Sequence, residues 1–205
     1  MARQKRNIRD NSFYHIINRG VEKRTVYLCA SDYCKFLELL ERACEKYAVE
    51  IVAFCLMPNH FHIIIRSVKG KNVSLWVKWF QGMYSQWFNQ RYGRVGSLWQ
   101  SRFFSKEVGP GEHLAKTWMY VVQNPVKANL SNTPQQWRWS SAYLRHHGIQ
   151  RPYLVEPDWW WTSLKPRWWS DDMLEYKELI KVQTSLKRTV VEELKTAWEL
   201  PESVS

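Results

Sequence analysis

The alternation of short and long apolar segments over the first 125 residues predicts an α+β fold of four strands and three helices. The short segments are apolar runs bounded by turn residues, which is typical of strands. The longer segments repeat their apolar residues at helical spacing. Glycine and proline fall between the segments, where they interrupt both patterns. The chain has 205 residues, of which 45% are hydrophobic, so it can bury a core of ordinary size.

Each element has its own local pattern. The predicted elements are a strand over 13–18, a helix over 31–47, strands over 50–57 and 60–67, a helix over 73–92, a strand over 101–108 and a helix over 112–123. Ser31 is a suitable N-cap for the first helix. Asn124-Pro125 ends the third helix, because a residue before proline is displaced from the α region. The order β-α-β-β-α-β-α predicts a ferredoxin-like core with an antiparallel sheet and one added helix.

A change of composition near residue 150 predicts a boundary between two regions. The predicted strands and helices named so far all lie in residues 1–148. Residues 149–205 begin with a stretch rich in Trp and Pro and end in an acidic stretch, for which Ser170 is a plausible helix N-cap. We expect one folded domain and a Trp-rich, helical C-terminal extension that packs on the domain, covers its binding surface or contacts a partner.

Composition excludes several classes of protein. The four cysteines do not form CxxC pairs, which argues against a zinc ribbon or a disulfide framework. No uncharged run of about 18 apolar residues occurs, so no membrane span is expected. The basic N-terminus lacks the apolar segment of a secretory signal. We expect a reduced, cytoplasmic protein.

The distribution of charge indicates an acidic partner. The net charge is +11, yet no acidic residue occurs between Glu50 and Glu107. Basic residues in this stretch can neutralise phosphates, and the interleaved aromatic residues can stack on unpaired bases. The candidate nucleic-acid contacts are Arg19, Lys78, Arg91, Arg94, Trp99, Arg102 and Lys106. The alternative is that the aromatic residues form the core and the basic residues a solvated face.

Two histidines on one predicted strand form a candidate metal site. Side chains alternate along a strand, so His60 and His62 project to one face while Phe61 and Ile63 project to the other. Two ligands at this distance can share one ion, and ligand softness favours zinc or another late transition metal over magnesium. The alternative is a pair of surface or hydrogen-bonded histidines without a metal.

A tyrosine and an asparagine on the third predicted helix form a second candidate group. Tyr120 and Asn124 are four residues apart and therefore share a helix face. A tyrosine hydroxyl can act as a covalent nucleophile, and an asparagine carbonyl oxygen can bind a metal. Spacing alone does not select Tyr120 among the ten tyrosines, so a core role is the alternative.

Five segments of the chain resemble one known family in the same order. They are YHIINRG (14–20), MPNHFHIII (57–65), FNQRYGRVGSLWQSRF (88–103), YVVQNPVKA (120–128) and WSSAY (139–143). Together they make the chain similar to the REP-associated tyrosine transposases, which are HUH single-tyrosine nucleases related to the IS200/IS605-type transposases. The similarity runs from about residue 12 to 145. The fold that this resemblance implies is ferredoxin-like, with the nucleophilic tyrosine on a helix after the last strand.

The resemblance implies a role for each residue that matches a family motif. It makes His60 and His62 ligands of a divalent metal, Asn124 the third, polar ligand, and Tyr120 the nucleophile. The implied ion is Mg²⁺ or Mn²⁺, against the softness argument, because phosphate oxygens and waters would complete a hard coordination shell. The implied substrate is a single-stranded DNA hairpin of a palindromic repeat, cleaved through a 5′-phosphotyrosine. Bound to DNA, the protein would lie in the nucleoid, as a monomer or as a homodimer.

The residues that follow the tyrosine depart from the family's short apolar and acidic residues. Val121, Val122 and Gln123 stand there, but none lies on the face of the tyrosine and the third ligand, so activity is expected to survive. Two other functions stay open. The first is a hairpin-binding protein without cleavage, which would tolerate loss of the tyrosine and histidines that are present here. The second is an RNA-binding module of the same element order, although its aromatic motif [KR]-G-[FY]-[GA]-F-V does not occur.

Overall fold

Four antiparallel strands form one sheet with helices on both faces in a computed structural model, which describes residues 8–155. The strands are β1 (Ser12–Arg19), β2 (Val49–Met57), β3 (His60–Ser67) and β4 (Phe104–Val108). The helices are α1 (Ala30–Tyr47), α2 (Gly70–Arg91), α3 (Glu112–Val122), α4 (Asn124–Lys127) and α5 (Ser141–His146), with 3₁₀ turns at Val21–Lys23 and Pro134–Gln136. The strand order β2-β3-β1-β4 confirms the predicted α+β, ferredoxin-like class.

The first face of the sheet packs against α1 and α2. Alternation along β3 directs Phe61, Ile63 and Ile65 to this face, where all three are fully buried. They meet the apolar sides of the two helices, and the ring centres of Phe61 and Phe36 are 5.4 Å apart. Because aromatic packing closes this face, the surface available for chemistry lies on the other face or at the edges of the sheet.

The second face of the sheet lies under α3. Trp118 and Val121 of this helix pack on Ile64 of β3. A β-bulge in β2 places the consecutive residues Val52 and Ala53 on the same face, which widens the apolar surface that α3 covers. The helix that carries the candidate nucleophile is therefore attached to the face that carries the two histidines.

The start of α1 differs from the prediction that Ser31 is its N-cap. The carboxylate of Asp32 accepts the backbone N–H groups of Leu28 and Cys29 at 2.6 and 3.1 Å. The hydroxyl of Tyr92 donates to the same carboxylate at 2.8 Å. The prediction is wrong because a fully buried Asp32 reaches back from inside the helix and satisfies the free N–H groups.

The third predicted helix ends where expected, next to Asn124-Pro125, and a separate helical turn begins directly after it. α3 ends at Val122, and α4 begins at Asn124, so the chain continues for another helical turn. Proline is tolerated in the first turn of a helix, since the N–H that it lacks would have no partner there. The break places Asn124 at the joint, where its Nδ2 donates to the carbonyl oxygens of Tyr120 and Val121 at 2.7 and 3.3 Å.

The residues just after the predicted boundary at 148/149 pack on the domain. Tyr153 belongs to the core, and Leu154 forms a parallel bridge to Ile51 of β2. The predicted helix that begins at Ser170 lies outside the described residues, as does most of the predicted Trp-rich stretch. Within residues 8–155, no helix has the length and apolar character needed to cross a membrane.

Candidate active site

The rings of His60 and His62 lie together on the sheet face that α3 crosses. Their centres are 5.0 Å apart and their planes are nearly perpendicular. Strand pairing sets His62 between Ile17 of β1 and Cys55 of β2, and only 4% of its surface is exposed. His60, at the start of β3, is partly buried. The pair is therefore held in the interior of the sheet by strands on both sides.

A hydrogen bond to Asn59 determines the tautomer of His60. Asn59 Nδ2 donates to the carbonyl oxygen of Lys23 at 3.0 Å, which leaves its Oδ1 as an acceptor. His60 Nδ1 lies 2.6 Å from this oxygen and therefore carries the proton. Burial, together with the Arg19 guanidinium, lowers the pKa of His60, so its ring is neutral at pH 7. His60 Nε2 consequently presents a lone pair.

His15 of β1 joins the site, although it was not among the selected site residues. Its Nε2 lies 3.0 Å from Nδ1 of His62, and both rings are buried. Burial, with the Lys106 ammonium, lowers the pKa of His15 to about 4. Burial, with the imidazoles of His15 and His60, lowers the pKa of His62 to about 2. Both rings are therefore neutral at pH 7. Since their hydrogen bond occupies Nδ1 of His62, Nε2 is the atom left for a ligand.

Tyr120 reaches the histidines from α3. Its ring centre lies 5.6 Å from that of His62 and 6.1 Å from that of His15, in edge-on contacts. Part of the Tyr120 ring is accessible to solvent, because the residue is 45% exposed. Nζ of Lys127 in α4 lies 5.0 Å from the ring centre. The accessible phenol of Tyr120, beside two imidazoles and the ammonium of Lys127, is therefore well placed to contact an anion.

Asn124 lies one turn beyond the tyrosine with its amide orientation determined. Because Nδ2 donates to two helix carbonyls, Oδ1 is the atom left for a ligand. In the part of the chain that the structure describes, no three His, Cys, Asp or Glu side chains come together as a metal-binding group. An ion at this site would take two imidazole nitrogens and one amide oxygen from the protein, with substrate and water completing its shell.

Two of the candidate nucleic-acid contacts flank the histidines. Strand pairing sets Arg19 opposite His60 and Lys106 opposite His15. Side chains of directly paired residues point to the same face of a sheet, so both cations belong to the face of the site. They are suited to hold the phosphates on either side of a bound nucleotide.

The other four cationic candidates lie in two separate places. Lys78 and Arg102 line a groove beside α2. Arg91 and Arg94 lie at the far end of α2, where Arg91 approaches the carboxylate of Asp32 at 3.7 Å. The structure therefore does not bring the seven selected residues into one surface, and Arg91 already has an anionic neighbour.

Trp99 does not offer an exposed stacking face. It is 8% exposed, and its ring packs on Phe61 and Tyr84. Its indole N–H donates to the carbonyl oxygen of Gln81 at 3.3 Å. The alternative interpretation of the aromatic stretch, a role in the core, therefore applies to Trp99, although the residue also lines the groove beside α2.

His15, Asn59 and Lys127 belong to the site but are not among the residues selected from the sequence. Asn59 directly precedes His60, and Lys127 follows Tyr120 at a helical spacing of seven. Both residues could therefore be selected from the sequence. No local pattern could identify the partner of His15, because that partner depends on the register between β1 and β3.

A ferredoxin-like sheet with a histidine pair that faces a tyrosine on a helix is the arrangement expected of HUH tyrosine transposases. The chain matches the IS200-like transposase family over residues 9–124, more than half of its length, and belongs to that family. It is 24% identical over 124 residues to a protein of Haemophilus influenzae (strain Rd) described as a REP-associated tyrosine transposase, which covers 55% of this chain and 70% of that protein.

One solved structure of the two described here shares the fold of this chain. A REP-associated tyrosine transposase bound to a REP hairpin superposes with a TM-score of 0.60 at 18% identity, covering 76% of this chain and 92% of that chain. A protein of Deinococcus radiodurans R1 described as a transposase matches with a TM-score of 0.42 at 16% identity, over 60% of this chain and 97% of that one. The first of these comparisons supports the ferredoxin-like assignment.

Proposed function

We propose that this IS200-like transposase is a metal-dependent, single-strand DNA endonuclease and strand transferase whose nucleophile is Tyr120. One observation carries the proposal: the half-exposed Tyr120 ring lies edge-on against His62, and His60 presents a second Nε2 beside it. A phenol in this position can attack a phosphorus atom while the imidazoles hold a cation next to it.

The donor set suits a divalent cation. Nε2 of His60, Nε2 of His62 and Oδ1 of Asn124 are the three protein ligands, and the other polar atom of each side chain is already hydrogen-bonded. Such outer hydrogen bonds orient the ligands of metal sites. When bound, Mg²⁺ or Mn²⁺ would polarise a phosphoryl oxygen of the scissile ester. Imidazole ligands also suit zinc, so zinc is one arm of the experiment below.

The reaction at Tyr120 is a transesterification. The phenolic oxygen forms a bond to the scissile phosphorus as the bond from phosphorus to the 3′-oxygen breaks. The phenol gives up its proton, and the departing 3′-oxygen takes one up, which leaves a 5′-phosphotyrosine and a free 3′-hydroxyl. A second 3′-hydroxyl can reverse the exchange and join a new strand. The ammonium group of Lys127 stabilises the negative charge of the phosphate. It is available for this role because no described carboxylate forms an ion pair with it.

We infer that the substrate is a DNA hairpin from a palindromic repeat. A structural neighbour that shares the fold was solved with a REP hairpin bound, which supports this choice. Arg19 and Lys106 flank the histidines and can hold backbone phosphates near the tyrosine.

A denaturing gel tests the proposal. The full chain is mixed with palindromic-repeat hairpins labelled at the 5′ or the 3′ end, in Mg²⁺, Mn²⁺, Zn²⁺ or chelator. We expect a metal-dependent cut in which protein stays on the 3′-labelled fragment and the 5′-labelled fragment is released free. Tight binding without a cut in every metal would instead identify a hairpin-binding protein, and cutting in chelator would refute the metal dependence.

We predict that replacing His15 by alanine weakens Mn²⁺ binding by roughly 10- to 100-fold, the usual effect of removing a group that orients a metal ligand. The reason is that His62 loses the partner of its Nδ1 and can turn away. Mn²⁺ titration followed by electron paramagnetic resonance measures the affinity without any DNA. His15→Gln, which keeps a hydrogen-bonding group, should lose less than His15→Ala. Equal Mn²⁺ affinity in all three proteins, with unchanged melting temperature, would contradict the prediction.

A further inference from the structure

An apolar stripe runs along the outer side of α2, away from the sheet. Its four members are four residues apart, which places one on each helical turn: Leu75, Trp79, Met83 and Trp87. The stripe is about 18 Å long. Leu75 is 51% exposed and Met83 is 38% exposed, whereas the two tryptophans are partly buried. Exposed apolar patches on soluble proteins commonly mark interaction sites, and the reaction described above does not use this one.

Positive charges border the stripe where α2 packs beside α1. The guanidinium carbon of Arg42 and Nζ of Lys46 lie 5.8 and 5.4 Å from the ring centre of Trp79. Arg42 also pairs with Glu38 at 3.5 Å, but within the described residues no carboxylate forms an ion pair with Lys46. No acidic residue occurs over residues 51–106, so α2 itself carries none. The stripe therefore suits an occupant that is apolar along its centre and acidic at its sides.

The last part of the chain has a stripe of the same spacing. Over residues 186–198, which lie outside the described residues, apolar side chains again recur every four residues: Leu186, Val190, Leu194 and Trp198. Residues 170–205 contain eight acidic and five basic residues, in a chain of net charge +11. A helix of this length is marginal in water without a surface to pack on. Rows of side chains four residues apart interdigitate when two helices pack. The segment therefore matches the α2 stripe in spacing, length and charge.

The described part of the chain ends close to α1. The N–H of Val155 donates to the carbonyl oxygen of Ile51 in β2 at 2.9 Å, and Tyr153 lines a cavity together with Cys44 of α1. Residues 156–169 then precede the predicted acidic helix, and 14 residues can extend over about 46 Å. The diameter of a helix such as α1 is about 10–12 Å. The chain is therefore long enough to cross α1 and reach the stripe on α2.

We propose that residues 186–198 bind as a helix along the α2 stripe of the same chain. The apolar residues of the segment cover the exposed Leu75, and its carboxylates lie toward Lys46. Because α1 and α2 pack on the face of the sheet that carries Phe61, the segment lies on the opposite side of the sheet from Tyr120 and does not cover the candidate active site. Binding at this surface uses none of the residues assigned to the reaction, so it is independent of whether the protein cleaves DNA.

Photo-cross-linking in the full chain tests where the segment binds. Leu75→p-benzoylphenylalanine places a light-activated group on the stripe, and Leu130→p-benzoylphenylalanine, at a 42% exposed position beyond α4, is the matched control. Isotope-labelled and unlabelled protein are mixed, so that mass spectrometry distinguishes links within one chain from links between copies. We expect the Leu75 variant to become linked to residues 186–198 of the same chain, and we expect no such link in the Leu130 variant.

Hydrogen exchange in two further variants tests the contact itself. Met83→Glu places a charge on the stripe, and Leu130→Glu places the same charge at the control position. We expect the backbone N–H groups of residues 186–198 to exchange roughly tenfold faster in Met83→Glu than in the parent, which is the scale of one lost apolar contact. Leu130→Glu should exchange as the parent does. Unchanged exchange in β3 would show that both variants are folded.

Three results would overturn the proposal. Links from position 75 to a second copy would identify the stripe as an interface between two copies of this chain. Links to no part of residues 186–198 would place the segment elsewhere, such as over the candidate active site. Equal exchange of the segment in Met83→Glu and in the parent would show that the stripe does not hold it. If Met83→Glu does not fold, the cross-link from the exposed position 75 still decides between these outcomes.

Discussion

Tyr120→Phe is expected to bind hairpin DNA as tightly as the parent does and to form no covalent adduct. Loss of one oxygen removes the nucleophile while the ring keeps its edge-on contacts with His62 and His15. The site and the DNA surface should therefore remain intact. The measurement is the amount of protein attached to 3′-labelled DNA in Mn²⁺, together with the Kd of the same hairpin.

A matched control is Tyr47→Phe, which removes the same atom at the end of α1, on the opposite side of the sheet. It should form the adduct at the parental rate. An adduct in Tyr120→Phe would show that another tyrosine is the nucleophile. Tyr84 and Tyr92 are poor replacements, because the buried Tyr84 hydroxyl bonds to the carbonyl oxygen of Val26 and the Tyr92 hydroxyl bonds to Asp32.

His60→Ala is expected to lower metal-dependent cleavage by about 10³-fold, since a bound cation contributes several kcal/mol to the stabilisation of charge in such reactions. His60 is the better histidine to remove, because it is only partly buried and lies at the start of β3, whereas His62 lies inside the sheet. Hairpin binding, with its dependence on salt, should change little, because phosphate contacts supply most of it.

The control for this variant is His113→Ala, an exposed histidine at the start of α3 whose Nδ1 accepts the N–H of Gly109. Cleavage rates over a Mn²⁺ titration distinguish weaker Mn²⁺ binding from a slower cleavage step. A rate that recovers at high Mn²⁺ indicates weaker Mn²⁺ binding. Parental rates in His60→Ala at all Mn²⁺ concentrations would exclude His60 as a ligand.

The strands and helices could be predicted from the sequence because their signals are local. β3 matches its predicted range, and the face shared by His60 and His62 follows from alternation along one strand. The register that pairs β1 with β3 is a long-range property, so the hydrogen bond between His15 and His62 could not be predicted. The cap of α1 was mispredicted because the helix begins one residue before Ser31, and the side chain of Asp32 accepts the free N–H groups of Leu28 and Cys29.

Burial of aromatic residues was the least predictable part of the site. Thirteen tryptophans in one chain suggest stacking surfaces as readily as a core, and only the tertiary packing of Trp99 decides between them. The packing of α3 on the sheet disfavours the RNA-binding alternative. That mode of binding needs an open sheet face with aromatic residues, whereas here α3 covers Ile64 and Val52 on the face opposite the two long helices.

The side chains of strand β3 point alternately to the aromatic core under α1 and α2 and to the candidate active site under α3. Only this alternation keeps the two environments apart. A shift of β3 by one residue would move His62 among aromatic rings and would set Phe61 beside Tyr120. A shift of two residues would keep the side chains of each face of β3 on that face. Evolution can therefore change the length of the chain near this strand only where the phase of alternation is kept, since one misplaced residue would disrupt the core and the candidate active site together.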